Sequence, residues 1–126
     1  MTYAYNTMYI PPIPCLQIEL GVPDEDTLTD SLTGIIDTGA DGTIIPVNYL
    51  EQIKAKNVDE ALISSHWGEW RQVMLYMVDV KVESIVIPGL YVVGDDQGNE
   101  IILGRNFLNR LELLLNGPAK IAKIQL

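Results

Sequence analysis

Apolar residues along the chain recur mostly at every second position, in runs of roughly four to eight residues bounded by Gly, Pro, Asn and Asp, the pattern of short half-buried strands. Leu16, Ile18 and Leu20 alternate with Gln17 and Glu19, and the run stops at Gly21-Val22-Pro23 before the acidic turn Asp24-Glu25-Asp26. Leu32 to Asp37 predicts a second strand, placed to form a hairpin with the first. Pro46 to Lys56 is the best candidate for a helix longer than one turn, with Leu50 and Ile53 on one face and Asn57 near its end. Ala61 to Ser65 and Gln72 to Val82 predict a long hairpin around His66-Trp67-Gly68-Glu69-Trp70. Further strands are expected at Ser84 to Ile87, Leu90 to Val93, Ile101 to Leu103, Leu111 to Leu115 and Lys120 to Leu126, with Asp95 to Asn99 as a polar turn. Residues 1–14 carry Pro11, Pro12 and Pro14, which suit an N-terminal arm or an edge rather than a central strand. Residues 15–126 are then the single domain, since 126 residues suffice for one core and not two.

Charge removes several function classes. The chain has 17 acidic and 8 basic side chains, a formal net charge of −9. Residues 1–53 hold eight acids and no base, and the remainder nine acids and eight bases, giving −8 and −1. Nucleic acid and anionic membrane surfaces are therefore not expected partners, since binding them starts from a basic patch. No run reaches the roughly 18 apolar residues of a membrane-spanning helix. The first basic residue is Lys54, so the basic start of a signal peptide is missing and a cytoplasmic location is expected. Cys15 is the only cysteine, which rules out an internal disulfide and a CxxC-type metal cluster and leaves a buried structural thiol.

Chemistry concentrates in Ile35-Ile36-Asp37-Thr38-Gly39-Ala40-Asp41-Gly42-Thr43-Ile44-Ile45-Pro46. An acid directly after an apolar strand can be presented from a rigid base, and Gly39 lets the backbone approach another group closely. Asp-Thr-Gly by itself also fits an ordinary Asx turn. A calcium loop of the EF-hand type starting at Asp37 fails at its third position, Gly39, and at its twelfth, Asn48. A phosphatase-like Asp-x-Asp-Gly-Thr motif matches only Asp41-Gly42-Thr43, because Gly39 stands where the nucleophile belongs. A phosphate-cradling loop needs a Lys that this region lacks.

Asp37-Thr38-Gly39-Ala40-Asp41, followed downstream by Ile101-Ile102-Leu103-Gly104-Arg105-Asn106-Phe107-Leu108, resembles the two motifs of retropepsin-like aspartic proteases, the single-domain relatives of the retroviral enzymes. The resemblance covers roughly residues 15 to 118. It implies an all-β fold, a closed β-barrel of the acid protease type with one or two short helices and an active site at a C2 dimer interface. Asp37 would be the catalytic acid, Thr38 would hydrogen-bond across the two-fold axis, and Gly39 would let the two loops pack. Ala40 and Asp41 would meet the substrate backbone, and Asp41 and Arg105 would form a partly buried ion pair beneath the site. Ile44, Ile45 and Val93 would wall apolar substrate pockets.

By position, Ala61 to Val82 is the flap of this family, with Trp67, Gly68 and Trp70 as candidate substrate contacts and His66 as a surface residue of its tip. Two-domain relatives carry two Asp-Thr/Ser-Gly loops. This chain has one, because Asp30-Ser31 is followed by Leu32, so the resemblance implies a homodimer acting on a peptide or protein substrate. No metal and no cofactor is called for. A non-catalytic, dimeric peptide-binding module on the same fold is the alternative, which retention of Asp37, Thr38, Gly39 and Arg105 disfavours.

Overall fold

The computed structural model describes residues 1–64 and 68–125. The expectations for His66 and Trp67 lie outside the described residues. In chain order the elements are β1 (Thr2–Ala4), β2 (Cys15–Gly21), β3 (Leu32–Ile36), β4 (Thr43–Pro46), α1 (Val47–Gln52), β5 (Asn57–Ser64), β6 (Trp70–Val82), β7 (Ile85–Asp95), β8 (Ile101–Leu103), α2 (Arg105–Leu108), β9 (Glu112–Asn116) and β10 (Ile121–Gln125).

Six strands close a barrel in the order β2-β3-β8-β4-β7-β6, with β6 returning to β2 through Glu19↔Lys81, Leu20↔Val80 and Gly21↔Asp79. The period of two decides what fills it. Leu16, Ile18 and Leu20 turn inward and are essentially fully buried while Gln17 faces solvent. They meet Val78, Val80, Val92, Ile45, Leu103 and the single Phe, Phe107. A second, three-stranded sheet in the order β1-β10-β9 adds Tyr3, Ala122 and Ile124 to the same core. β1 is thus an edge strand, paired to β10 through Tyr3↔Ala122. Among the described residues no helix is long and apolar enough to cross a membrane.

Three local expectations are corrected. The helix predicted to Lys56 stops at Gln52, because Lys54 takes a left-handed conformation (φ 57°) and the chain closes with Lys54 N–H to Glu51 O (3.0 Å) and Ala55 N–H to Leu50 O (2.9 Å). This is the usual double bond of a helix end, with Lys standing where Gly is commoner, and it frees residues from Asn57 to begin β5 early. The two strands expected at Ser84 to Ile87 and Leu90 to Val93 are one, β7. Pro88-Gly89 does not break it, because the facing β6 carries an irregularity between Val78 and Val80, and the Asp79 carboxylate accepts the Gly89 N–H at 2.9 Å. Residues Thr43 to Pro46, for which no strand was expected, form β4, parallel to β7 through Ile44↔Val93.

Candidate active site

β3 ends at Ile36 and delivers Asp37 to a loop at the mouth of the barrel. Its backbone is held on both sides: Ile36 N–H donates to Pro14 O (3.0 Å) and Asp37 N–H to Leu103 O (3.0 Å). Asp37 is exposed. Its Oδ1 accepts the Gly39 N–H at 2.9 Å, and Ala40 N–H closes the turn onto Asp37 O at 3.2 Å. The Asx turn and the presented carboxylate are therefore the same structure, since an Asx bond occupies one oxygen and leaves the other available.

α2 braces this loop from below. Arg105 N–H donates to Ala40 O at 2.8 Å and Asn106 N–H to Asp41 O at 3.3 Å. The Arg105 guanidinium donates through Nη1 to Thr38 O at 2.8 Å and through Nη2 to the Asp41 carboxylate. A planar fork can grip two acceptors at once, so one side chain ties both ends of the loop. Within the single chain the two halves of the pair differ: the Arg105 side chain, 43% exposed, is half-buried, whereas Asp41, 93% exposed, stands on the rim of the loop and not under it. The close approach of helix and loop depends on Gly104, where a Cβ would overlap the Gly42 carbonyl oxygen.

Thr43 and Asn106 form a truss that sequence reasoning did not assign. Thr43 is fully buried, its hydroxyl donating to Asn106 Oδ1 at 2.7 Å and accepting the Gly104 N–H at 3.2 Å. Asn106 Nδ2 then donates to Tyr91 O at 2.9 Å, so β4, α2 and β7 are joined beside the loop. The available signal was a polar Thr between Gly42 and Ile44, in a stretch otherwise ready to enter the core.

The substrate-facing expectations divide. Ile44 and Val93 are half-buried and in register, and Ile44 also pairs with Ile102 across β8. These three form one apolar wall, to which Ile102 is an addition. Ile45 does not belong to it: it is completely buried in the barrel, because neighbouring residues of a strand face opposite sides. Ala40 is half-buried and lies in the braced loop. Gly68, with φ 78°, and Trp70, 68% exposed, lie at the outer end of the β5–β6 hairpin, where Trp70 pairs with Ser64. Among the described residues no hydrogen bond or ion pair joins that hairpin to the 37–41 loop.

One carboxylate near this face has a resolved electrostatic shift. Asp95 is held below the ordinary carboxylate range, first by the Gln97 N–H, against the opposing effect of burial, and further by the Gly98 N–H and the Arg71 guanidinium. Cys15 is buried and its Sγ–H donates to Ala4 O at 3.4 Å; burial pushes the thiol up. Among the described residues no cluster of three His, Cys, Asp or Glu side chains is placed to hold a metal.

The family model described as gag-polyprotein putative aspartyl protease matches residues 29–110. Among solved structures, a retropepsin-like aspartic protease from Rickettsia conorii superposes with a TM-score of 0.64, covering 98% of this chain and 88% of that one at 13% identity. EIAV protease, complexed with the inhibitor HBY-793, gives 0.57 over 86% of this chain and 93% of that one at 20% identity. The retroviral protease-like domain of Ddi1 from Leishmania major gives 0.53 over 90% of each chain at 16% identity. A search of curated proteins found no match. At these identities the structural likeness concerns the fold.

Proposed function

Because the chain belongs to the gag-polyprotein putative aspartyl protease family, which its residues 29–110 match, we propose that it is a homodimeric aspartic endopeptidase with one active site on the two-fold axis. The observation that carries the reading is the braced loop: an exposed Asp37 whose loop is tied to α2 through Ala40, Asp41 and Thr38. Such bracing fixes a reacting group to the precision that catalysis requires.

Each chain supplies one such acid, so a working site takes two copies. Two carboxylates brought within a few ångströms cannot both ionise cheaply, and the pair holds one proton; aspartic protease dyads are the standard example of this effect. The ionised Asp37 accepts a proton from a water as its oxygen attacks the scissile carbonyl, while the protonated Asp37 donates to the carbonyl oxygen. The resulting gem-diol collapses as the C–N bond breaks: the departing nitrogen receives a proton from one Asp37 while the other takes the proton of a gem-diol hydroxyl, which leaves the carboxylic acid and restores the singly protonated dyad. Thr38 steadies the pair across the axis, and Gly39 permits the approach. Two carboxylates and a water suffice for this chemistry.

The substrate is an extended peptide, its backbone met by Ala40 and Asp41 and its apolar side chains by Ile44, Val93 and Ile102. The β5–β6 hairpin serves as the flap, with Gly68 and Trp70 at its outer end and Trp67 as a further contact. Residues 1–14 act with the terminal sheet as a dimer arm, so deleting them is expected to weaken the dimer; a gain in activity would mean instead that they block the groove. Activity is expected to peak at mildly acidic pH, because one member of the dyad must stay protonated, and a rate still rising in alkali would contradict this.

The test is cleavage of a diverse peptide mixture at mildly acidic pH, with products identified by mass spectrometry, beside Asp37→Asn and a statine-type inhibitor. Cuts that vanish in both controls are expected. Peptide binding without cleavage by the wild-type dimer would favour the alternative, a non-catalytic peptide-binding module.

A further inference from the structure

The β5–β6 hairpin runs past the end of the barrel. The last rung joining β6 to β7 is Met74↔Gly94, while β6 continues outward to Trp70, paired only with β5 through Val73↔Ala61, Gln72↔Leu62, Arg71↔Ile63 and Trp70↔Ser64. Gly94 marks the rung, because a Cβ there would overlap the Tyr76 ring. Beyond it, no backbone rung ties the hairpin to the barrel among the described residues.

A charged side chain reaches from this part of the hairpin to the loop after β7. Arg71 Nη2 lies 3.6 Å from Asp95 Oδ1 and 3.9 Å from Asp96 Oδ1, and Nη1 donates to Gln97 Oε1 at 3.3 Å. The same Asp95 Oδ1 accepts the N–H groups of Gln97 (2.9 Å) and Gly98 (3.1 Å), so the carboxylate that receives Arg71 also shapes the loop after β7. That loop leads into β8, which carries Ile102 of the apolar wall and ends at the Gly104-Arg105 brace. Arg71 therefore contacts, at residues 95–97, the segment that leads from the end of β7 to the apolar wall.

We propose that Arg71 is a positioning residue, a latch that clamps the projecting hairpin to residues 95–98 so that hairpin and loop move as one body over the groove. Its consequence for cleavage rests on the protease reading; the latch itself does not. A guanidinium that combines one hydrogen bond, to Gln97, with two longer ion contacts, to Asp95 and Asp96, engages three groups at once, which a single ammonium does less well. The contacts are partly solvated, with the Arg71 side chain 44% exposed, so the latch is built to open.

The test compares wild type, Arg71→Ala and Arg71→Lys by amide hydrogen exchange and, on a peptide substrate, by steady-state kinetics. In Arg71→Ala the amides of 70–73 and of Gln97 and Gly98 are expected to exchange together about three- to fivefold faster, the factor a partly exposed ion pair supports, while the Asp37 amide on Leu103 O is unmoved. KM is expected to rise by a similar factor with kcat nearly unchanged, and Arg71→Lys is expected to recover part of both effects. Unchanged exchange, or acceleration in only one of the two segments, overturns the latch whether or not the protein cleaves peptides. A fall in kcat at constant KM overturns its positioning role. A wild type that cleaves nothing overturns the protease reading, and the exchange result then decides the latch alone.

Discussion

Gly104 is the position where the account of the catalytic loop is most exposed to failure. A Cβ placed there overlaps the carbonyl oxygen of Gly42 and lies 3.0 Å from that of Ala40. Both obstacles are backbone, so no rotamer change relieves them, and α2 and the loop must part by about 1 Å to restore normal contact. Parting them strains three bonds: Arg105 N–H to Ala40 O (2.8 Å), Asn106 N–H to Asp41 O (3.3 Å) and Gly104 N–H to Thr43 Oγ1 (3.2 Å). Overpacking a tight site costs about 1–3 kcal/mol, and each bond that is weakened adds up to about 1 kcal/mol. Gly104→Ala is thus expected to lose about 3–4 kcal/mol, which for a domain of this size lowers Tm by about 10–15 °C. Gly42→Ala supplies the internal control: a Cβ there meets no heavy atom within 4 Å among the described residues, so its cost is expected to stay within about 0.5 kcal/mol. Both are read by thermal unfolding in circular dichroism at one fixed protein concentration, since the Tm of an associating protein depends on concentration. A Gly104→Ala protein that melts with the wild type, or a Gly42→Ala protein equally damaged, would refute the reasoning.

Arg105→Ala is expected to leave Tm within a few degrees, because the Asp41 it pairs with is almost fully exposed, yet to lower kcat by about a hundredfold through loss of loop geometry; Arg105→Lys should not restore it, since one ammonium cannot serve Thr38 O and Asp41 together. A double-mutant cycle of Thr43→Val with Asn106→Leu is expected to show coupling of about 1–2 kcal/mol by denaturant unfolding, and strictly additive losses would remove the truss from the account. Asp95 has a depressed pKa in the folded state, so it stabilises the fold above its unfolded pKa and ceases to as pH falls through its folded one. The Tm difference between wild type and Asp95→Asn is accordingly expected to be full near pH 6 and to shrink below about pH 3.8, and a difference that grew on acidification would contradict the sign.

Much of this was legible in the chain because strand alternation and the two short motifs act locally. Leu16, Ile18 and Leu20 declare their face by spacing alone, and Asp37-Thr38-Gly39 declares a presented acid. What the sequence hid depends on contacts distant in the chain. The role of Thr43 comes from Asn106, and that of Arg71 from Asp95, neither visible from neighbours in sequence. Ile45 faces the core because neighbouring strand residues alternate, which a four-residue strand between a loop and a helix is too short to show in sequence, and the break expected between Ile87 and Leu90 is absent because Asp79 on the facing strand accepts the Gly89 N–H. The exposure of Asp41 is likewise a property of the loop's rim, which motif spacing does not report.

The central claim is that two Asp37 carboxylates from two chains make one site, and mixing tests it most directly. Asp37→Asn is unfolded and refolded together with wild type at constant total concentration, and peptide cleavage is followed as the wild-type fraction falls. If the site is shared, activity declines as the square of that fraction, to about one quarter at equal proportions, because only dimers with two intact acids cleave. A decline in direct proportion, to about one half, would mean that each chain carries a complete site and would contradict the account.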